Sequence, residues 1–193
     1  MTPPKARFTR EDIIQTAIGI VRESGIDAVT ARELGKRLGS SACPIFTAFE
    51  NMEEVNTEII KYAKALYKEY IGEGLKQEQA FKGVGTAYIR FSMYEPKLFQ
   101  LLFMSEQTDP VDIEHTLMLI DESYEEILRS VREPYGLREE DAKRLYQHLW
   151  VYTHGIAAMC ATNVCVFSEK EISGMMTDIF LSLLEKIKRE EKK

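Results

Sequence analysis

The chain has 193 residues, 45% of them hydrophobic, enough for one sizeable core or for a small domain beside a larger one. No run of about 18 apolar residues occurs, which excludes a membrane-spanning helix, and MTPPKARFTR lacks the apolar stretch of a secretory signal. Three cysteines, Cys43, Cys160 and Cys165, are too few and too irregularly spaced for a disulfide framework or a zinc finger, so a reducing cytoplasm is expected. Net charge is −6, but residues 1–49 carry seven Lys or Arg against five Asp or Glu, a local +2 that leaves −8 for the remainder. A mildly basic head on an acidic body permits contact with phosphates through the head alone.

Pro3, Pro4 and the basic residues after them read as a mobile arm. Thr9 caps a first helix with Glu11 and Asp12 in its first turn, and Ile13, Ile14, Ala17, Ile20 and Val21 recur at helical spacing until Gly25 ends it. Thr30 caps a second, short helix, where Glu33 completes a capping box and Leu34 and Leu38 form the apolar stripe. Gly39 stops that helix, because glycine takes the left-handed conformation without steric cost. Ser41 is the better cap for a third helix carrying Ile45, Phe46 and Phe49, with Pro44 tolerable in its first turn. Two short helices joined by about three to four residues that include a glycine read as helix-turn-helix.

A long helix begins near Met52 with Val55, Ile59, Ile60, Ala63, Leu66, Tyr67 and Tyr70 in register, and Gly72 and Gly74 loosen its end. Ala80 to Tyr94 gives another, stopped by Pro96, and Lys97 to Met104 a short apolar one. Ile113, Leu117, Ile120, Tyr124, Ile127 and Leu128 predict a single amphipathic helix, closed by Pro134, Tyr135 and Gly136. Two long helices finish the chain. One spans about Arg138 to Val164; the other starts at Ser168 with a Glu171 capping box and ends in Lys186, Lys188, Arg189, Lys192 and Lys193. Nothing alternates like a strand, so the fold class is all-α, with a three-helix domain over 1–51 and a helical bundle over 52–193.

The order Ile13-Ile14, Gly25, Ala28-Val29-Thr30, Arg32-Glu33-Leu34, Leu38-Gly39, Ser41, Phe46-Thr47-Ala48-Phe49 resembles the N-terminal domain of TetR/AcrR-family transcriptional regulators. Trp150-Val151-Tyr152-Thr153-His154-Gly155 is similar to the Trp-His-Gly signature of one C-terminal-domain subgroup of that family, and Tyr94 to Phe99 to a segment that subgroup carries earlier. The resemblance implies a ligand-responsive, DNA-binding regulator. It would be a repressor released from a palindromic operator by a small apolar or aromatic effector, working as a cytoplasmic homodimer paired through the last two helices. No cofactor or metal is implied: His115, His148 and His154 make no ligand set, and no nucleophile–base–orienter group or phosphate loop marks an enzyme.

The third helix is the groove reader by geometry. Its outward residues, Ser40, Ser41, Ala42, Cys43, Thr47 and Ala48, are mostly small and allow close approach. Arg32, Lys36 and Thr30 suit phosphates, while Lys5, Arg7 and Arg10 can follow the backbone or enter a minor groove. Three positions depart from the family pattern. Phe46 stands where a tyrosine often contacts phosphate, Ala48 where a histidine is usual, and Met52 where a lysine is usual. Each departure removes a potential phosphate contact, so affinity should be lower or the arm should compensate, and together they suggest the alternative reading, a helical ligand- or partner-binding module that has lost DNA binding. In the body, Tyr88, Phe91, Phe99, Phe103, Met104, Met118, Tyr124, Trp150 and His154 are the candidates for lining an effector pocket, with plain packing as the rival role for each.

Overall fold

The computed structural model describes residues 8–106 and 109–191, and every regular element among them is helical. The elements are α1 (Arg10–Ser24), a 3-10 turn (Ile26–Ala28), α2 (Ala31–Arg37), α3 (Cys43–Ala48), α4 (Met52–Leu75), α5 (Ala80–Tyr94), α6 (Pro96–Phe103), α7 (Ile113–Ile120), α8 (Tyr124–Tyr135), α9 (Glu139–Ala161) and α10 (Glu169–Glu190). None of these helices is long and apolar enough to cross a membrane. The chain divides into two compact units. One comprises the residues up to Ala65 with Glu95–Ser105, the other Leu66–Tyr94 with everything from Glu106 onward. α4 is one continuous helix that contributes to both.

In the first unit, the Thr9 hydroxyl accepts from the Asp12 N–H while the Asp12 carboxylate accepts from the Thr9 N–H at 2.8 Å, a complete capping box. The apolar side of α1 (Ile13, Ala17, Ile18, Ile20, Val21) is buried, as are Leu34, Ile45, Phe49, Val55 and Ile59. α6 packs on α1 and buries Leu98 and Phe99 completely. The expected box at Thr30 is only half formed. Thr30 accepts from the Glu33 N–H at 3.1 Å, but its own N–H goes to the Ala28 carbonyl, and Glu33 is held by Arg37 at 3.0 Å. Ser41 is not the cap of α3 either. Ala42 holds that position, and the Ser41 hydroxyl accepts from the Cys43 N–H at 3.4 Å.

The turn between α2 and α3 rests on two glycines for different reasons. Gly39 sits at φ +64, and the N–H groups of Gly39 and Ser40 close back on the Lys36 and Gly35 carbonyls, which satisfies the helix end. Gly35, inside α2, has no conformational need to be glycine. A Cβ there would meet the Ser41 carbonyl carbon and oxygen at 2.9 Å, so α2 lies directly on the backbone of the turn.

In the second unit α5 lies along α9, α9 along α10, and α8 against both α5 and α9. Gly74 and Gly83 face each other so closely that a Cβ on Gly74 would lie 2.7 Å from the Gly83 carbonyl oxygen; this glycine positions α4 against α5 rather than loosening the helix. The single helix expected from Ile113 to Leu128 is two. Asp121 is extended (φ −124, ψ 106), its Oδ1 accepts from the Ser123 N–H at 3.0 Å, and α8 starts afresh at Tyr124. A short side chain that bonds its own following backbone competes with the helix ladder, and here it wins. α9 stops at Ala161 rather than Val164 because Asn163 takes φ 55 and turns the chain. The Ser168–Glu171 capping box forms as expected.

Gly35→Ala is expected to lower the unfolding free energy by about 1–3 kcal/mol, because backbone must move to admit the methyl. Chemical denaturation of both proteins measures it, and equal midpoints would contradict the close packing at Ser41.

Candidate functional site

The head presents a small-residue surface on α3. Cys43, Phe46 and Thr47 point outward, with Phe46 52% exposed, while Ile45 and Phe49 on the opposite side are buried. Ser41 is exposed, and Ser40, Ala42 and Ala48 are half-buried. Of the nearby cations, Arg32 is exposed and makes no ion pair among the described residues, and Lys36 stands 3.8 Å from Glu33 with its side chain 77% exposed. Arg37 is occupied, paired with Glu23 at 2.6 Å as well as with Glu33.

Arg10 has a different place from the one its sequence position suggests. Its guanidinium donates to the Ala48 carbonyl at 2.6 Å and to Glu54 at 2.8 Å, and lies 4.0 Å above the Phe49 ring. It ties the start of α1 to the end of α3 and the first turn of α4, a structural rather than an arm-like role. Lys5 and Arg7 lie outside the described residues. Thr30 remains at the N-terminus of α2 with its hydroxyl engaged by the Glu33 N–H.

The second unit holds a cavity of about 460 Å³. Tyr67 of α4, Phe81, Val84 and Tyr88 of α5, Tyr135 of α8, Tyr146, Leu149 and Trp150 of α9, and Met176 and Phe180 of α10 form its walls, with Asp121 reaching in from the α7–α8 break. A Cβ on Gly85 would stand 2.9 Å from the Met176 methyl, the flexible end of an α10 side chain that also lines the cavity. The rings interlock edge to face: Tyr67 with Tyr88 at 6.0 Å, Phe81 with Tyr146 at 5.8 Å, Tyr135 with Phe180 at 5.1 Å. A mostly apolar concavity with a few polar groups, set between bundle helices, is the usual form of a small-molecule site.

Of the nine body residues chosen from the sequence, Tyr88 and Trp150 line this cavity. His154 stands behind them: it stacks on Trp150 at 5.0 Å between centroids, and its Nδ1 is 2.9 Å from the Tyr88 hydroxyl. Tyr124 packs on Tyr146, and Phe91 is wholly buried beside Tyr67 and Tyr70. Phe99, Phe103 and Met104 belong to the first unit, and Met118 is 43% exposed on α7. These last six are not cavity walls. A stripe of aromatics along a sequence does not reveal which side of each helix faces a void.

Sequence reasoning misses Asp121, Tyr67, Tyr146, Phe81, Tyr135 and Phe180. Asp121 carries a signal, an acidic residue on the line of an apolar helix pattern, which marks either a break or a buried charge. Here it is both. Burial pushes the Asp121 carboxyl above its ordinary value, with the Ser123 N–H and the Tyr67 hydroxyl pulling the other way. Burial likewise raises the Tyr67, Tyr88 and Tyr146 hydroxyls and lowers His154, which keeps that imidazole neutral near pH 7. The Trp150 indole Nε1 is buried with no hydrogen-bond partner among the described residues.

A raised carboxyl makes the charged form a burden on the fold. Its favourable contribution is full below the ordinary value of 3.8 and is lost as pH rises through the folded value. Asp121→Asn, which retains the Oδ1 acceptor for Ser123, is therefore expected to melt above the parent at pH 7, with the gap closing as pH falls to the ordinary value of 3.8. A variant that melts below the parent at pH 7 would contradict this.

Residues 81–167, from α5 through α9, match the family described as tetracyclin repressor-like, C-terminal domain. None of the curated proteins matches the chain. Among solved structures, a single-substitution TetR variant from Acinetobacter baumannii AYE in complex with minocycline is similar over 96% of this chain and 98% of its own, at 14% identity and a TM-score of 0.48. The chain thus joins a helix-turn-helix head to a segment, residues 81–167, that is similar to a tetracyclin repressor-like C-terminal domain.

Proposed function

We propose that the chain is a repressor that holds a palindromic operator as a homodimer and lets it go when a small molecule with an apolar or aromatic body fills the cavity of the second unit. Residues 1–51 would be the DNA-binding domain, and residues 52–193 the effector-binding and pairing domain of this cytoplasmic protein. The observation that carries the reading is the combination of an outward, small-residue α3 flanked by the exposed Arg32 with an aromatic cavity in the second unit.

In the major groove, Ala42 and Ala48 methyls would meet thymine methyls, and Ser40, Ser41, Cys43 and Thr47 would allow the helix to seat deeply. Arg32 and Lys36 would neutralise phosphates, with Lys5, Arg7 and the Thr30 hydroxyl adding to them. Phe46 would lie on the sugar–phosphate edge with its ring, having no hydroxyl to donate. Arg10 would act indirectly, by fixing the end of α3.

Two-fold pairing would use the outward faces of α9 and α10. Val151 is 54% exposed and Leu181 55%, and the exposed Gly155 and Gly174 have nothing within 4 Å of where a Cβ would stand. Glycine costs helix stability at an exposed interior position, about 1 kcal/mol against alanine, so its place there suits close approach of a second helix. A ligand that binds better to the DNA-free arrangement would shift the equilibrium by its differential affinity. Arg22 and Glu95, joined by two hydrogen bonds of 2.8 and 2.7 Å, brace α1 against the start of α6.

A salt titration of binding to duplex DNA tests the reading. Arg32→Ala and Lys36→Ala should each weaken binding and each reduce the slope of log K against log salt by about 1. Binding without salt dependence, or unchanged slopes in both variants, would favour the alternative of a helical binding module without DNA contacts, which Phe46, Ala48 and Met52 suggest.

A further inference from the structure

We infer that the cavity is built for an organic cation: an ammonium group carried on an apolar or aromatic body, with its charge placed beside Asp121. The inference rests on the effector reading above and narrows the class of effector. Asp121 is 6% exposed, and it enters the cavity from the extended link between α7 and α8. Among the described residues its two oxygens meet neutral donors, the Ser123 N–H at 3.0 Å and the Tyr67 hydroxyl at 3.3 Å. No Lys, Arg or His among the described residues forms an ion pair with it; Lys68, the residue after Tyr67 on α4, pairs with Glu122 instead. A carboxylate withdrawn from water and met by two neutral hydrogen bonds is under-compensated, and a cation brought into the cavity supplies what the fold does not.

The walls support the same sign. Tyr67, Tyr88, Tyr146, Trp150 and Phe180 surround the space with aromatic rings, whose faces carry the negative lobe of the quadrupole. The other charged residues on the lining, Glu78 and Lys82, are exposed and opposite in sign, so Asp121 sets the charge of the interior. An anion would face an uncompensated carboxylate. A neutral ligand of the same shape would gain the apolar burial and leave Asp121 as it is.

Trp150 is the only tryptophan in the chain and lines the cavity, so its emission reports occupancy directly. The test compares benzyltrimethylammonium with neopentylbenzene, its uncharged carbon isostere, and with 4-tert-butylbenzoate. The cation is expected to bind the unmodified protein about tenfold more tightly than the isostere, and Asp121→Asn to abolish that preference while leaving the isostere's affinity in place. Equal affinities for cation and isostere, or tighter binding of the benzoate, overturn the charge assignment and leave the effector cavity standing. A preference that survives Asp121→Asn overturns the assignment to that residue. No change in emission or melting temperature with any of the three overturns the cavity reading and the charge together. The comparison in the unmodified protein needs no variant, and Asn retains the acceptor that turns the chain at Ser123.

Discussion

The hydrogen bond from the Tyr67 hydroxyl to the buried Asp121 carboxylate is the contact around which the second unit is arranged. It joins α4 to the point where one amphipathic pattern becomes two helices. Because Asp121 commits Oδ1 to the Ser123 N–H, α7 ends and α8 sets off in a new direction, carrying Tyr135 to the cavity wall. Had the pattern from Ile113 to Leu128 continued as one helix, that turn would be lost. A fold built only for stability would place an apolar residue or an asparagine at this position, since a charge there is disfavoured by its surroundings. Retaining the acid fits a site shaped for a partner rather than for packing alone.

The head is governed by a different constraint. Its own helices are short, and α3 has six residues, too few to persist without tertiary support. The support comes from the methyl-free contact of Gly35 with the turn, from Ile45 and Phe49 in the shared core, and from Arg10, whose guanidinium holds the Ala48 carbonyl and covers Phe49. Turning Ile45 and Phe49 inward leaves Ser, Ala, Cys and Thr outside, with the Phe46 ring among them. That surface is poor in hydrogen-bonding reach, so contacts with a duplex would depend on shape and on flanking cations more than on long side chains from the reader helix.

Much of this is legible in the chain. The three-helix head, the Gly39 stop, the cap at Thr9, the capping box at Ser168 and the two long closing helices follow from local rules that act within one turn, and local rules survive folding. The misplacements fall where a side chain has a partner that the local pattern does not reveal. Glu33 is drawn to Arg37 instead of closing a capping box, Asp121 divides a pattern that reads as one helix, and Arg10 reads as part of a basic arm although Ala48 and Glu54 claim it. The effector candidates show the limit most clearly. Trp150 and Tyr88 reach the cavity, but His154, four residues from Trp150, is turned to the Tyr88 hydroxyl behind the wall. Periodicity tells which residues share a face; it does not tell whether that face meets another helix or a void.

If occupancy of the second unit governs possession of DNA by a pair of heads, both events must follow one ligand concentration. Selection of duplexes from a random pool, followed by measurement of the size of the complex on the enriched sequence and of its dissociation as a cavity ligand is titrated against Trp150 emission, tests this most directly. The predicted result is an inverted repeat, bound by an even number of chains and released over the same ligand range in which Trp150 responds. An enriched site without two-fold symmetry, or a complex that persists with the cavity filled, would contradict it.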